Sequence, residues 1–299
     1  MTTTRRFGLL AAALTAVSLV APSMVASEVP ESPDPIRIAV NKWTGQVLSA
    51  NIAGEVLKKM GYSVEMVVAG ALPQLATIAE GEIDMNPEMS DASVTDAYTN
   101  GVVLGDIVVP GPLGLEPREG WFYPPCMEEL CPGLPRCQAL YDCPQAFGTA
   151  ETFPNGRLVG YPADWGTRVQ DAVGSLGLPF NVVRGGSEGA VLAELKGAIA
   201  AKEPMLMMFW QPHWVFAEEE LNWVEWTAIK GECVEETQAR DTACGLAQAN
   251  VLKIQGHEFA TKWPAASAMM AKFTLTNAEQ NAMILEVDQK GRTAKEVAL

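Results

Sequence analysis

The chain has 299 residues, 48% of them hydrophobic, and 36 Asp and Glu against 21 Lys and Arg give a formal net charge of −15. Such acidity argues against nucleic acid and anionic membrane surfaces as partners. The length suits two lobes, each with its own core.

Residues 1–27 read as a secretory signal peptide. Arg5 and Arg6 form a short basic region, the stretch from Phe7 to Val20 is apolar, and Ala21-Pro-Ser-Met-Val-Ala-Ser27 offers small residues for cleavage. The apolar run is short for a membrane span. A soluble protein exported to the periplasm is therefore expected. Residues 28–35 are Pro-rich and polar and are expected to form a flexible leader.

A short β run at 36–40 breaks at Asn41-Lys-Trp-Thr-Gly45, and a helical pattern follows at 46–60. Gly61 ends that helix, 62–69 is the next strand, and 72–80 is a helix closed by Gly81. A third strand at 83–85 ends in Asn86-Pro-Glu-Met89. The same order returns later. A strand at 157–161 breaks at Pro162-Ala-Asp-Trp-Gly166 and is followed by a helix at 167–176 and a strand at 180–184. Gly185-Gly-Ser187 introduces a helix at 188–202, and 205–210 is an apolar third strand ending in Trp210-Gln-Pro-His-Trp214. Each β-α-β-α-β unit predicts a mainly parallel sheet flanked by helices. The fold class is thus α/β, with two lobes and a cleft between them. Residues 36–117 and 215–299 are assigned to lobe 1, and residues 118–214 to lobe 2. The tail from Trp263 is helical in pattern, with Pro264 in a first turn and Thr276-Asn-Ala-Glu279 as a capping box, and is expected to pack on lobe 1.

The six Cys, in an oxidising compartment, predict three disulfides. Cys233 and Cys244 bracket a polar segment and are expected to pair. Cys126, Cys131, Cys137 and Cys143 lie in a Pro-rich insertion at 125–145, with their pairing open. Zinc is the rival use of these four, but their spacing differs from the usual paired ligands and no His lies nearby.

Ligands in open α/β sheets sit at the carboxyl ends of the strands. Trp43, Trp165 and Trp210 all map to such ends, and Trp121 maps to the first crossover. Indole faces attract cations, above all ones that cannot hydrogen-bond. The helix starts after Trp43 and at Gly166 offer backbone N–H groups to an oxyanion. His213 could add a donor, and Glu119 and Glu88 are candidate cleft acids. A single Trp is more often core than ligand, and most acids in so acidic a chain face water. The shared placement of the four Trp residues favours a site. No nucleophile elbow, phosphate loop or zinc-protease motif occurs, so no catalysis, cofactor or metal is expected.

Asn41-Lys-Trp43, Arg118-Glu-Gly-Trp-Phe-Tyr-Pro124, Gly160-Tyr-Pro-Ala-Asp-Trp-Gly166 and Phe209-Trp-Gln-Pro-His-Trp214 together resemble the substrate-binding proteins of glycine betaine/choline-type ABC importers. The resemblance runs from about Ile36 to the C-terminus. The Cys-rich insertion and the Pro-Ala-Asp-Trp-Gly block are most similar to the branch that includes trimethylamine N-oxide binders. The resemblance implies a type II periplasmic binding protein fold and a Trp cage around a methylated onium group. It also implies delivery to the importer's membrane subunit, by a protein expected to be a monomer. Many relatives carry an aromatic residue where this chain has Pro87-Glu-Met89. Two rivals are an exported redox or metal-binding protein using the Cys-rich insertion, and a sugar-binding receptor.

Overall fold

The computed structural model describes residues 28–91, 94–226 and 249–299. The expected signal peptide, Cys233 and Cys244 lie outside the described residues.

In chain order the strands are β1 (Ile36–Val40), β2 (Val64–Val68), β3 (Met85–Ser90), β4 (Ile107–Pro112), β5 (Arg118–Tyr123), β6 (Pro132–Pro135), β7 (Gly156–Gly160), β8 (Phe180–Arg184), β9 (Met207–Gln211), β10 (Asn222–Trp223) and β11 (Val251–Gly256). They form two five-stranded sheets, ordered β2-β1-β3-β11-β4 and β10-β5-β9-β7-β8. In the first sheet β1 is parallel to β2 and β3, and β11 returns antiparallel between β3 and β4. In the second, β7 is parallel to β8 and β9, while β5 and β10 are antiparallel. The two lobes expected from the sequence are these two sheets with their helices.

The apolar patterns set the elements. Ile36, Ile38 and Ala39 of β1 are fully buried. The helix Thr44–Lys59 lays Ala50, Ala53 and Leu57 on that sheet. At Gly54 the helix passes close to β2, where a Cβ would meet the terminal methyl of the flexible Met66 side chain at 2.5 Å and require it to shift. In the second lobe Met207, Met208 and Phe209 are buried, as an apolar strand covered on both faces requires.

Four expectations change. First, the third strand does not stop before Asn86: β3 runs through Pro87 and Glu88 to Ser90. Pro87 has no N–H to give, and the register of β11 against β3 shifts between the partners of Met89 and Asn86, directly opposite it. Second, β10 pairs with β5 at Asn222 and Trp223, so the second sheet reaches beyond residue 214. Third, the leader is tied down. Glu31 accepts from the Tyr62 hydroxyl and from the Ala265 amide at 2.9 Å, and Asp34 pairs with Lys262 at 2.7 Å. Fourth, the insertion holds one disulfide among the described residues, Cys131–Cys143, with Cα atoms 5.5 Å apart. Cys126 bonds no other described cysteine, and Cys137 is buried.

The tail forms helices Pro264–Lys272, Asn277–Asp288 and Ala294–Ala298, and Thr276 with Glu279 makes the expected capping box. It packs on the first lobe and also reaches the second. Ile284 shares a buried cluster with Leu48 of lobe 1 and with Val191, Leu195 and Trp214 of lobe 2.

Candidate functional site

The carboxyl ends of the parallel strands face one another across the cleft. A cavity of about 640 Å³, measured out to its open mouth, lies between them. Trp43 follows β1, Glu88 and Ser90 end β3, Tyr161 follows β7, and Trp210 is near the end of β9; all line the cavity. Trp165 enters from the short turn Ala163–Trp165.

Four rings make an aromatic wall. Trp165 is the centre, with Trp43 at 5.0 Å, Trp210 at 5.3 Å and Tyr161 at 5.5 Å between ring centroids. Their planes are inclined by 50–72°, so edges meet faces and the rings form a box rather than a stack. Phe209 stacks on Trp210 at 4.1 Å from inside the lobe and fixes that ring.

Two acids share the cavity but differ in state. Glu119 meets the Arg168 guanidinium in an ion pair whose side chains are 6% and 5% exposed. It also accepts from Ser90 Oγ at 2.8 Å and Tyr161 Oη at 3.2 Å. Its charge is balanced, and through Ser90 it ties lobe 2 to lobe 1. Glu88 is buried and, among the described residues, has no basic partner in its hydrogen-bonding shell. It accepts from Ser49 Oγ, from Gln280 Nε2 at 2.7 Å and from Trp43 Nε1 at 3.2 Å. Burial pushes its pKa up to about 7, against the pull of those hydrogen bonds, and the Glu188 charge adds to the rise. Among the described residues, the lining holds no Lys, Arg or His.

Trp43, Trp165, Trp210, Glu88 and Glu119 thus converge as the sequence suggests, while three expected residues do not line the cavity. Trp121 is fully buried inside lobe 2, packed edge-on against Trp226 at 5.0 Å. The reason is strand direction. β5 is antiparallel to β9, with Glu119 opposite Trp210 and Trp121 opposite Met208. Glu119 is therefore at the cleft end, and Trp121 is one pleat deeper on the same face. Gly166 turns the chain at φ 116°, and its carbonyl accepts from Arg184 at 3.1 Å. His213 sits behind the wall, fully buried.

His213 belongs to a neighbouring cluster with Glu188 and Asp288. Its Nδ1 accepts from the Val215 amide at 3.2 Å, so in the neutral ring Nε2 carries the proton. That nitrogen faces Glu188 Oε1 at 3.4 Å and Asp288 Oδ2 at 3.7 Å. A metal would need a lone pair on Nε2, so the cluster is arranged around a proton rather than a cation.

Tyr161, Arg168, Gln280 and Glu188 were not singled out by sequence reasoning. Tyr161 had a usable signal, an aromatic residue directly after a strand. Gln280 and Arg168 had none, since the acid each one meets, Glu88 and Glu119, lies far from it in sequence.

A family model described as the substrate-binding domain of an ABC-type glycine betaine transport system matches residues 34–299. The chain is 26% identical over 279 residues to a trimethylamine N-oxide-binding protein of Pelagibacter ubique (strain HTCC1062), covering 91% of this chain and 88% of that one. Among solved structures, the glycine betaine/L-proline-binding protein of Borrelia burgdorferi superposes with a TM-score of 0.73 at 18% identity, covering 89% and 91% of the two chains. The lactococcal substrate-binding protein solved closed on glycine betaine gives 0.70 at 18%, covering 89% and 94%. At such identity these two structures bear on the fold alone.

Proposed function

We propose that this chain, which belongs to the family of substrate-binding domains of ABC-type glycine betaine transport systems, captures a methylated onium compound in the box of Trp43, Tyr161, Trp165 and Trp210. The observation that carries the reading is the company those rings keep. Four aromatic faces meet in an interlobe cavity with a buried Glu88 that, among the described residues, has neither a cation partner nor a basic side chain beside it in the lining. A quaternary or N-oxide nitrogen carries no N–H, and its methyl groups hydrogen-bond poorly, so ring faces and a nearby negative charge are what stabilise that trimethylated end. Trimethylamine N-oxide, glycine betaine and choline are the candidate ligands. The curated relative's name supports the first.

In this reading the protein is a binding protein rather than an enzyme. It works outside the cytoplasmic membrane as a monomer and hands its ligand to the importer's membrane subunit. Among the described residues no helix is long and apolar enough to cross a membrane. Titration calorimetry with the three ligands and with glucose tests the proposal. Saturable binding of at least one onium compound, and none of glucose, is expected. Glucose binding without onium binding would overturn it in favour of a sugar receptor.

A further inference from the structure

The helix Thr44–Lys59 begins at the cavity, between Trp43 and Gly45, both of which line it. Trp43 in the cap position offers no side-chain acceptor to that helix. The free N–H groups of a sixteen-residue helix are a natural seat for a ligand's carboxylate. Here a side chain from the other lobe occupies the seat. Glu188, at the start of the helix Glu188–Ala201, accepts from the Thr44 amide through Oε2 at 2.6 Å. Its other oxygen faces the proton-bearing Nε2 of His213 at 3.4 Å. Asp288 accepts from the Thr44 hydroxyl at 2.8 Å and from Trp214 Nε1 at 2.8 Å. Two fixed carboxylates thus surround one helix start, and both are held by donors. Lys42, the nearest basic residue along the chain, is turned to Asp164 at 3.5 Å.

We infer that Glu188 is a specificity residue, which selects methylated onium ligands without a carboxylate over those with one. The inference rests on the onium-binding reading and deepens it. A zwitterion whose cation lies in the aromatic box would bring its carboxylate toward the Thr44 amide, where the donor is taken and two negative charges stand. Trimethylamine N-oxide, choline and tetramethylammonium have no such group and meet no such conflict. Rejection by an occupied donor and a like charge is a way to separate ligands that share the same cation.

The test compares affinities for tetramethylammonium, trimethylamine N-oxide and glycine betaine in the full chain and in Glu188→Ala and Glu188→Gln, by calorimetry on folded protein. The wild-type chain should bind one of the two carboxylate-free ligands at least about tenfold tighter than glycine betaine, about 1.4 kcal/mol. Glu188→Ala frees the Thr44 amide and removes one charge, and should shrink that ratio by about tenfold or more. Glu188→Gln keeps an acceptor on Thr44 and removes only the charge, so it should shift the ratio in the same direction by less. A wild-type preference for glycine betaine, or a ratio unchanged in both variants, overturns the inference and leaves the onium-binding reading intact. Failure of all three ligands to bind the wild-type chain overturns both.

Discussion

Replacing Glu88 with Gln isolates the acid that has no cation partner among the described residues. The wild-type carboxyl has a folded pKa of about 7 against an ordinary value of 4.5. Between those values the folded chain binds more protons at Glu88 than the unfolded chain does. Stability therefore falls as pH rises from about 4.5 to about 7 and levels off above. The slope is at most about 1.4 kcal/mol per pH unit, and the whole effect is on the order of 3 kcal/mol. Gln removes the titration. Its amide also places a donor among Ser49, Trp43 and Gln280, which all donate, and this adds a cost that does not depend on pH. The informative quantity is thus the difference between wild type and variant across a pH series of urea melts. That difference should slope only between pH 4.5 and 7. A cation in the box favours the ionised carboxyl, so onium binding near pH 7 should release up to roughly half a proton in wild type and none in the variant. Calorimetry in two buffers of different ionisation enthalpy measures that release. A flat stability difference together with no proton release would refute the reasoning.

Two further predictions separate the box from the core behind it. Replacing Trp43, Tyr161, Trp165 or Trp210 with Ala should each weaken onium binding by roughly 1 to 3 kcal/mol. Trp121→Ala should instead lower stability by roughly 3 to 5 kcal/mol and leave the affinity of the folded fraction near wild type, read by melts and calorimetry side by side. Arg168→Met strands Glu119 as a buried charge and should cost roughly 3 to 5 kcal/mol of stability in denaturant melts. A variant as stable as wild type would show that Glu119 does not depend on that partner.

The two-lobed α/β plan was legible because each strand and helix carries its own signal. Continuous apolar runs, Gly stops and the Trp-x-Gly or Trp-Gly breaks before helices repeat in both halves, and the strands formed within two or three residues of the expected bounds. β3 was the exception. A Pro at its centre argues for a break in any single-strand reading, and only the irregular register of β11 opposite Pro87 makes room for it. The return of β11 into the first sheet comes from more than a hundred residues away, and no local pattern announces it. The same limit governed Trp121. Arg118–Tyr123 reads as a crossover in the sequence. Once it pairs antiparallel to β9, Glu119 falls at the cleft end of the strand, and Trp121, on the same face, lies one pleat deeper in the lobe. Strand direction is a property of the sheet, not of the six residues.

The sequence also left Glu88 and Glu119 as alternatives for one role, whereas the structure uses both and divides the work. Arg168 balances Glu119, so that acid sets the position of Tyr161 and Ser90 without asking the ligand for charge. Glu88 already has three donors, so a ligand N–H would add little there. Among the described residues, what it lacks is a positive charge close enough to offset its burial. A proton can supply that, at the expense of the carboxylate, or a cation can supply it from inside the box. An onium group is the form of cation that asks for no hydrogen bond in return and keeps its charge at any pH. The aromatic box and the raised pKa are therefore two consequences of one arrangement, in which proton and ligand compete for the same buried negative charge.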